Sequence, residues 1–184
     1  MADLSHSEES VPNSKIAWTS DKDGSLGSGA TLNLSATADG TMPLSEGDHL
    51  ITNDPWLSSG HLHDITVVTP TFRNGEIVAL FACCCHQVDI GGLGQGPDAT
   101  SVFEEGLLIP ITYLARRGAL NSDLINLIKE NVRQPYEVEG DILSYITSNE
   151  AGGLLLNKML DEFSAVSFSQ LSKFVDKFTT WKKI

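Results

Sequence analysis

Asp64-Ile65-Thr66-Val67-Val68-Thr69-Pro70-Thr71-Phe72-Arg73-Asn74-Gly75-Glu76-Ile77-Val78-Ala79-Leu80-Phe81-Ala82-Cys83-Cys84-Cys85-His86 reads as two β-strands joined by a tight turn. Asn-Gly between two apolar, β-branched runs is a strong short-range hairpin signal, because both residues tolerate the left-handed backbone that such turns need. Ile65, Val67 and Val68 on the first run, and Ile77, Val78, Leu80 and Phe81 on the second, put apolar side chains on both faces. Strands of that kind belong in the middle of a covered sheet. Two registers are open. A two-residue Asn74-Gly75 loop pairs Arg73 with Glu76, sets His63 opposite His86 and turns Asp64 to the other face. A three-residue Arg73-Asn74-Gly75 loop sets Leu62 opposite His86 and brings Asp64 onto the face of His86, one diagonal away. Both place the segment 61–64 beside His86.

Working outward, the hairpin is preceded by Gly60-His61-Leu62-His63 and followed by Gln87-Val88-Asp89-Ile90-Gly91-Gly92. Four of the five histidines (His49, His61, His63 and His86) fall in this region. Imidazole and carboxylate donors suit divalent metals such as Zn or Mn, and three protein ligands would leave coordination positions open for water and substrate. A thiol–imidazole pair at Cys85 and His86 is disfavoured, because neighbours on a strand point to opposite faces. Cys83, Cys84 and Cys85 read as small core residues. Three consecutive cysteines do not make a disulfide framework, and a reducing, cytoplasmic compartment is expected.

The chain has 184 residues, 12 of them Lys or Arg and 24 Asp or Glu, for a net charge of −12. This excess speaks against binding nucleic acid or an anionic membrane. There is no run of 18 apolar residues, and the start has neither the basic nor the apolar part of a secretory signal. Between Lys22 and Arg116 the only cation is Arg73, set against eleven carboxylates from Asp23 to Glu105. Such a region attracts a divalent cation but lacks the Lys/Arg clamp of a phosphate site, so any ATP would be bound by another chain or by a missing part.

Residues 1–45 read as a polar, partly disordered segment, and 46–184 as the folded domain. Asp21-Lys22-Asp23-Gly24 opens like a calcium loop, but the later ligands are missing, so a turn between short strands near 16–18 and 31–34 is expected. Gly91-Gly92-Leu93-Gly94-Gln95-Gly96 fails the dinucleotide-binding pattern and reads as backbone in close approach. Ser101 to Gly106 forms a helical turn and Leu107 to Leu114 an extended segment. A helix opens at Asn121/Ser122 and is ended by Pro135. A second, around Ile142, Leu143 and Ile146, is broken at Gly152-Gly153 and resumes through Leu156, Met159, Leu160 and Phe163. Leu171, Phe174, Val175, Phe178 and Trp181 form a last stripe, and the chain stops at Ile184 inside it. The expected fold is α+β, a mixed sheet built on the hairpin 64–86 and covered by C-terminal helices.

From Gly47 to about Phe163 the chain resembles the hydantoinase B/oxoprolinase family. The elements that carry the resemblance are Gly47-Asp48, Asn53-Asp54-Pro55, Gly60-His61 with Asp64, Val67-Val68-Thr69-Pro70, His86 with Asp89-Ile90-Gly91-Gly92, Pro97-Asp98-Ala99-Thr100, Glu104-Glu105-Gly106-Leu107, Ile109-Pro110, Asn131-Val132-Arg133 and Glu139-Gly140-Asp141. The resemblance implies a divalent metal, Zn or Mn, held by His61, Asp64 and His86. His63 stands where many members have proline and becomes a neighbour, and Gln87 stands where many have a second histidine. Asp54, Asp89, Asp98, Glu104 and Glu105 are candidates for supporting or acid–base roles, each equally at home as a cap or turn carboxylate. The implied activity is metal-dependent hydrolysis of a cyclic amide of the hydantoin or 5-oxoproline type. ATP would enter through a hydantoinase A-like partner subunit in a hetero-oligomer. Two alternatives are a carboxylase subunit acting on a ketone-derived enol phosphate, and a catalytically inactive interaction module. The family's chains are several times longer than the matched segment, so this chain is expected to be part of a larger family fold.

Overall fold

The structure, a computed structural model, describes residues 42–58 and 60–163. The turn at 21–29, the strands expected near 16–18 and 31–34, and the stripe 171–181 lie outside the described residues. The described chain runs β1 (His49–Thr52), β2 (Asp64–Arg73), β3 (Glu76–His86), α1 (Val102–Glu105), β4 (Thr112–Arg116), β5 (Ala119–Leu120), α2 (Ser122–Asn131) and α3 (Pro135–Glu162). This is the expected α+β architecture. The five strands form one sheet in the order β3-β2-β1-β4-β5.

The expected mixed sheet is corrected: every pairing among the described strands is antiparallel. β1 to β2, β2 to β3 and β4 to β5 are direct connections between neighbouring strands, which pair antiparallel, and β4, reached from β3 through the segment that holds the short α1, also runs antiparallel to β1. The central place expected for the whole hairpin holds for β2, which is buried on both faces along most of its length. β3 is an edge strand of the described sheet and only partly buried.

The hairpin register differs from both sequence readings. Asn74 (φ 54°) and Gly75 (φ 83°) form a two-residue turn, with Arg73 opposite Glu76 and Phe72 opposite Ile77. Thr71 then pairs with Ala79, so Val78 is an extra residue in β3. This bulge moves all later pairs by one place, and Asp64 lies directly opposite His86. The three-residue turn is therefore not needed to bring Asp64 and His86 onto one face.

One face of the sheet is covered by helices. Ile51, Ile65, Val67 and Leu114 pack there against Ile125 and Ile128 of α2 and Val138, Ile142 and Tyr145 of α3, with Cys83 and Cys85 at the margin. The opposite face carries Leu50 and Val68 under Met42 and Leu44. Asp64, Thr66 and Val68 alternate onto that second face, as do His86, Cys84 and Ala82 across from them.

The break expected at Gly152-Gly153 does not occur: α3 is continuous over 28 residues. Its buried positions, Val138, Ile142, Tyr145, Asn149, Gly153, Leu156 and Leu160, recur every three or four residues straight through the glycines. The glycines are a packing device. A Cβ at Gly152 would lie 2.6 Å from the Phe81 ring, and one at Gly153 would lie 2.5 Å from Thr71 Oγ1. Their absence lets the helix press onto the hairpin. Pro135, expected to end the preceding helix, instead opens α3 at its first turn, where its missing N–H costs nothing.

Candidate metal centre

The centre is built around a clamped tripeptide, His61-Leu62-His63. The Leu62 side chain is fully buried in the core. Its N–H donates to Glu105 Oε2 at 2.9 Å, and its carbonyl accepts from Asn53 Nδ2 at 2.8 Å. Asn53 also donates to the Leu107 carbonyl at 2.9 Å and accepts from the Ile109 N–H at 2.6 Å. One buried amide thus joins the end of β1, the 61–63 segment and the extended 107–109 segment. The His63 carbonyl accepts from the Gln87 N–H at 2.7 Å, which extends the hairpin ladder by one rung past Asp64 and His86.

This backbone brings His61, Asp64 and His86 together. Asp64 Oδ2 lies 3.1 Å from His61 Nε2, and Asp64 Oδ1 lies 2.9 Å from His86 Nδ1. Ligand atoms from all three lie within 4.8 Å of one another. Donors around a tetrahedral ion with bonds of 2.0–2.1 Å sit about 3.4 Å apart, so the side chains already stand near that spacing. Two imidazoles and a carboxylate are a donor set that Zn or Mn accepts. All three side chains keep partial contact with solvent, so an ion would have open positions.

His63, read from sequence as a neighbour, is an integral part of the arrangement. Its ring is stacked against His86 at 5.3 Å between centroids and 14° between planes, and against His61 at 6.0 Å and 28°. It is only 4% exposed, and its Nε2 has no hydrogen-bond partner. Burial, followed by the neighbouring His86 and His61 rings, holds its pKa below the ordinary histidine value. A neutral imidazole thus packs beneath two candidate ligands. The fourth histidine of the region, His49, lies on the helix-covered face, bonded to Thr69 Oγ1 at 2.8 Å and facing Glu150.

The five carboxylates proposed from sequence separate by their contacts. Glu105 reaches the centre through Leu62. Asp54 accepts from the Trp56 N–H at 2.9 Å and serves its own turn. Glu104 accepts from the N–H and hydroxyl of Thr100, at 2.6 and 3.0 Å, and these bonds hold its pKa below the usual range. Asp98 is exposed. Asp89 is buried and receives the Gly91 N–H at 3.0 Å, the Arg133 guanidinium at 2.8 Å and the Arg133 N–H. Burial alone would raise its pKa, but the bonds from Arg133 and Gly91 outweigh it and leave the carboxyl below its ordinary value. The glycine-rich loop is thereby tied to 131–133, and a Cβ at Gly91 would lie 2.5 Å from the Asn131 carbonyl.

Two of the three thiols lie on the other side of the sheet from this chemistry. Cys83 and Cys85 are on the helix side with their sulfurs 3.7 Å apart, and burial, with Cys85 beside it, pushes the Cys83 thiol up to about 11. Asn53 and His63 are the residues that sequence reasoning undervalued. An asparagine before Asp-Pro looks like a turn residue, and only long-range contacts reveal its role.

Comparison with known proteins gives this geometry a context. The family model for Hydantoinase B/oxoprolinase matches residues 25–178. The chain is 35% identical over 123 residues to the caprolactamase subunit beta of Pseudomonas jessenii, covering 65% of this chain and 21% of that one. It is 32% identical over 136 residues to the 5-oxoprolinase of Saccharomyces cerevisiae, covering 65% of this chain and 10% of that one. The crystal structure of the ATP-dependent caprolactamase from Pseudomonas jessenii superposes with a TM-score of 0.61 at 34% identity, over 65% of this chain and 21% of that one. An acetone carboxylase structure shares the fold at the same TM-score and 23% identity, over 71% of this chain and 17% of that one. The chain thus spans about a fifth or less of the length of these relatives. With its match over most of the sequence, the chain belongs to the hydantoinase B/oxoprolinase family.

Proposed function

We propose that His61, Asp64 and His86 hold a divalent cation, Zn or Mn, and that this chain is the metal-centre portion of an ATP-coupled enzyme opening a small cyclic amide. The observation that carries the reading is the convergence of these three side chains across the bulged hairpin. Membership of a family with a caprolactamase and 5-oxoprolinases supports the reaction class. A bound ion would polarise the amide carbonyl and lower the pKa of a water.

The chain's own residues prepare that chemistry. Asp64 brings the negative charge and orients both imidazoles through its two oxygens. Glu105 holds the loop through Leu62 and stands beside it as the carboxylate placed to take a proton. Asp54, Asp89, Asp98 and Glu104 act structurally, as turn, loop-locking or surface groups. The shortage of cations around the centre among the described residues supports a reading in which ATP is bound outside this segment, by a hydantoinase A-like partner subunit of a hetero-oligomer in the cytoplasm. No helix among the described residues is long and apolar enough to cross a membrane.

The test is metal content after equilibration with Zn or Mn and gel filtration. One ion per chain is expected in the wild type, with affinity lowered by at least about tenfold in His61→Ala, His86→Ala and Asp64→Asn. Full metal retention in both histidine variants sinks the assignment. With a partner subunit and ATP present, ring opening is expected; incorporation of bicarbonate in its place would make the chain a carboxylase subunit.

A further inference from the structure

Beside the 61–64 loop lies an open cleft of about 340 Å³, lined by Pro55, Trp56, Gly60, Ala99, Thr100, Ser101, Val102 and Glu105. That volume falls at the small end of the range for ligand pockets, roughly 300–1,000 Å³. Two wall residues are joined directly to the centre. Gly60 is the residue before His61, and a side chain there would meet nothing within 4 Å. Glu105 is held by the Leu62 N–H between His61 and His63.

The walls define what fits. Pro55, Trp56, Ala99 and Val102 give apolar surface, and the Trp56 side chain is 75% exposed, so its indole is available to the face of a flat ring. Thr100 spends its hydroxyl on Glu104, but Ser101, at the start of α1, makes no side-chain capping bond. Leu62 occupies Oε2 of Glu105, which leaves Oε1 to accept an N–H. Among the described lining residues there is no Lys or Arg, and the one charged side chain, Glu105, is negative. A ring carrying its own carboxylate would set it against Glu105, with no Lys or Arg among the described lining residues to offset the pair.

We propose that this cleft is the ring-binding subsite of the enzyme and that it selects neutral cyclic amides over carboxylate-bearing ones: a lactam or hydantoin without an acid group, in preference to 5-oxoproline. The ring rests on Trp56 and Pro55, its N–H donates to Glu105, and its carbonyl lies toward His61. This inference rests on the metal-centre reading above, which gives the neighbouring cleft its significance.

The test compares 2-pyrrolidone with 5-oxoproline, the same ring with and without a carboxylate. Binding to the full 184-residue chain is measured by saturation-transfer NMR at pH 7, with Zn titrated in parallel. The expected result is binding of 2-pyrrolidone at least about fivefold tighter than 5-oxoproline. Trp56→Ala should weaken 2-pyrrolidone by about fivefold or more, with Zn affinity unchanged. Glu105→Gln, which keeps an acceptor for Leu62, should narrow the gap between the two ligands. Equal or tighter binding of 5-oxoproline overturns the proposal, as does 2-pyrrolidone binding that ignores Trp56→Ala. Zn binding without lactam binding defeats the cleft and leaves the metal centre standing; lactam binding without Zn binding does the reverse.

Discussion

At the scale of single residues, two buried polar side chains fix the frame around the centre. Asn53 is fully buried and satisfies Leu62, Leu107 and Ile109 at once. Asn53→Leu is nearly isosteric but strands three backbone groups. It should destabilise the fold by about 2–4 kcal/mol, measurable by urea unfolding, and loosen the 61–63 segment. Asp89 gives a pH-dependent case. Its pKa lies below the ordinary carboxylate value in the folded chain, so the folded state favours the ionised form. Its contribution is fully present above the unfolded pKa and disappears as pH falls through the lower folded pKa. Asp89→Asn should cost about 1–3 kcal/mol at pH 7. The Tm gap between variant and wild type should close on acidification through the carboxylate range; a gap that stays constant to pH 2 would remove the ionic role from Asp89. Neither role could be read from local sequence. Arg133 lies 44 positions from Asp89, and nothing within a window of a helix or strand pairs them.

At the scale of elements, the hairpin and α3 depend on each other. Asn74-Gly75 announced the turn, and the β-branched, apolar runs on either side of it announced the strands. The bulge at Val78 was illegible, because an extra residue in β3 has no signature in a run that is apolar throughout. Yet it decides that Asp64 faces His86. The helix break expected at Gly152-Gly153 rested on intrinsic propensity, which tertiary packing overrode. Gly152→Ala puts the two in direct conflict. Alanine in a helix is favoured by up to about 1 kcal/mol over glycine, whereas a methyl 2.6 Å from the Phe81 ring forces repacking, at a cost of about 1–3 kcal/mol. A net loss of stability is expected, and Gly152→Ala with Phe81→Leu should recover part of it. A variant more stable than wild type would show that α3 and the hairpin yield easily.

At the scale of the whole molecule, the centre sits where a strand end, a hairpin end and the 99–105 segment meet, on the sheet face away from the helices. Metal binding should therefore report on the fold. An ion held only by the native arrangement adds about 2.7 kcal/mol at 100 times its Kd, raising Tm by several degrees. EDTA should reverse the rise and Asp64→Asn should abolish it; an unchanged Tm in saturating Zn and Mn would count against a preformed site. The sequence by itself determined the α+β class, the hairpin, the helical stripes and the residue types gathered near His86. These depend on local propensity and on periodicities of two and 3.6, which a single chain displays. The all-antiparallel sheet, the one-residue shift that pairs Asp64 with His86, the stacking of His63 and the cleft beside Gly60 were decided only by the tertiary structure. Each depends on which distant segments share space, and that is settled by the burial of Leu62, by the Asn53 bonds and by the close fit of α3 against Phe81 and Thr71.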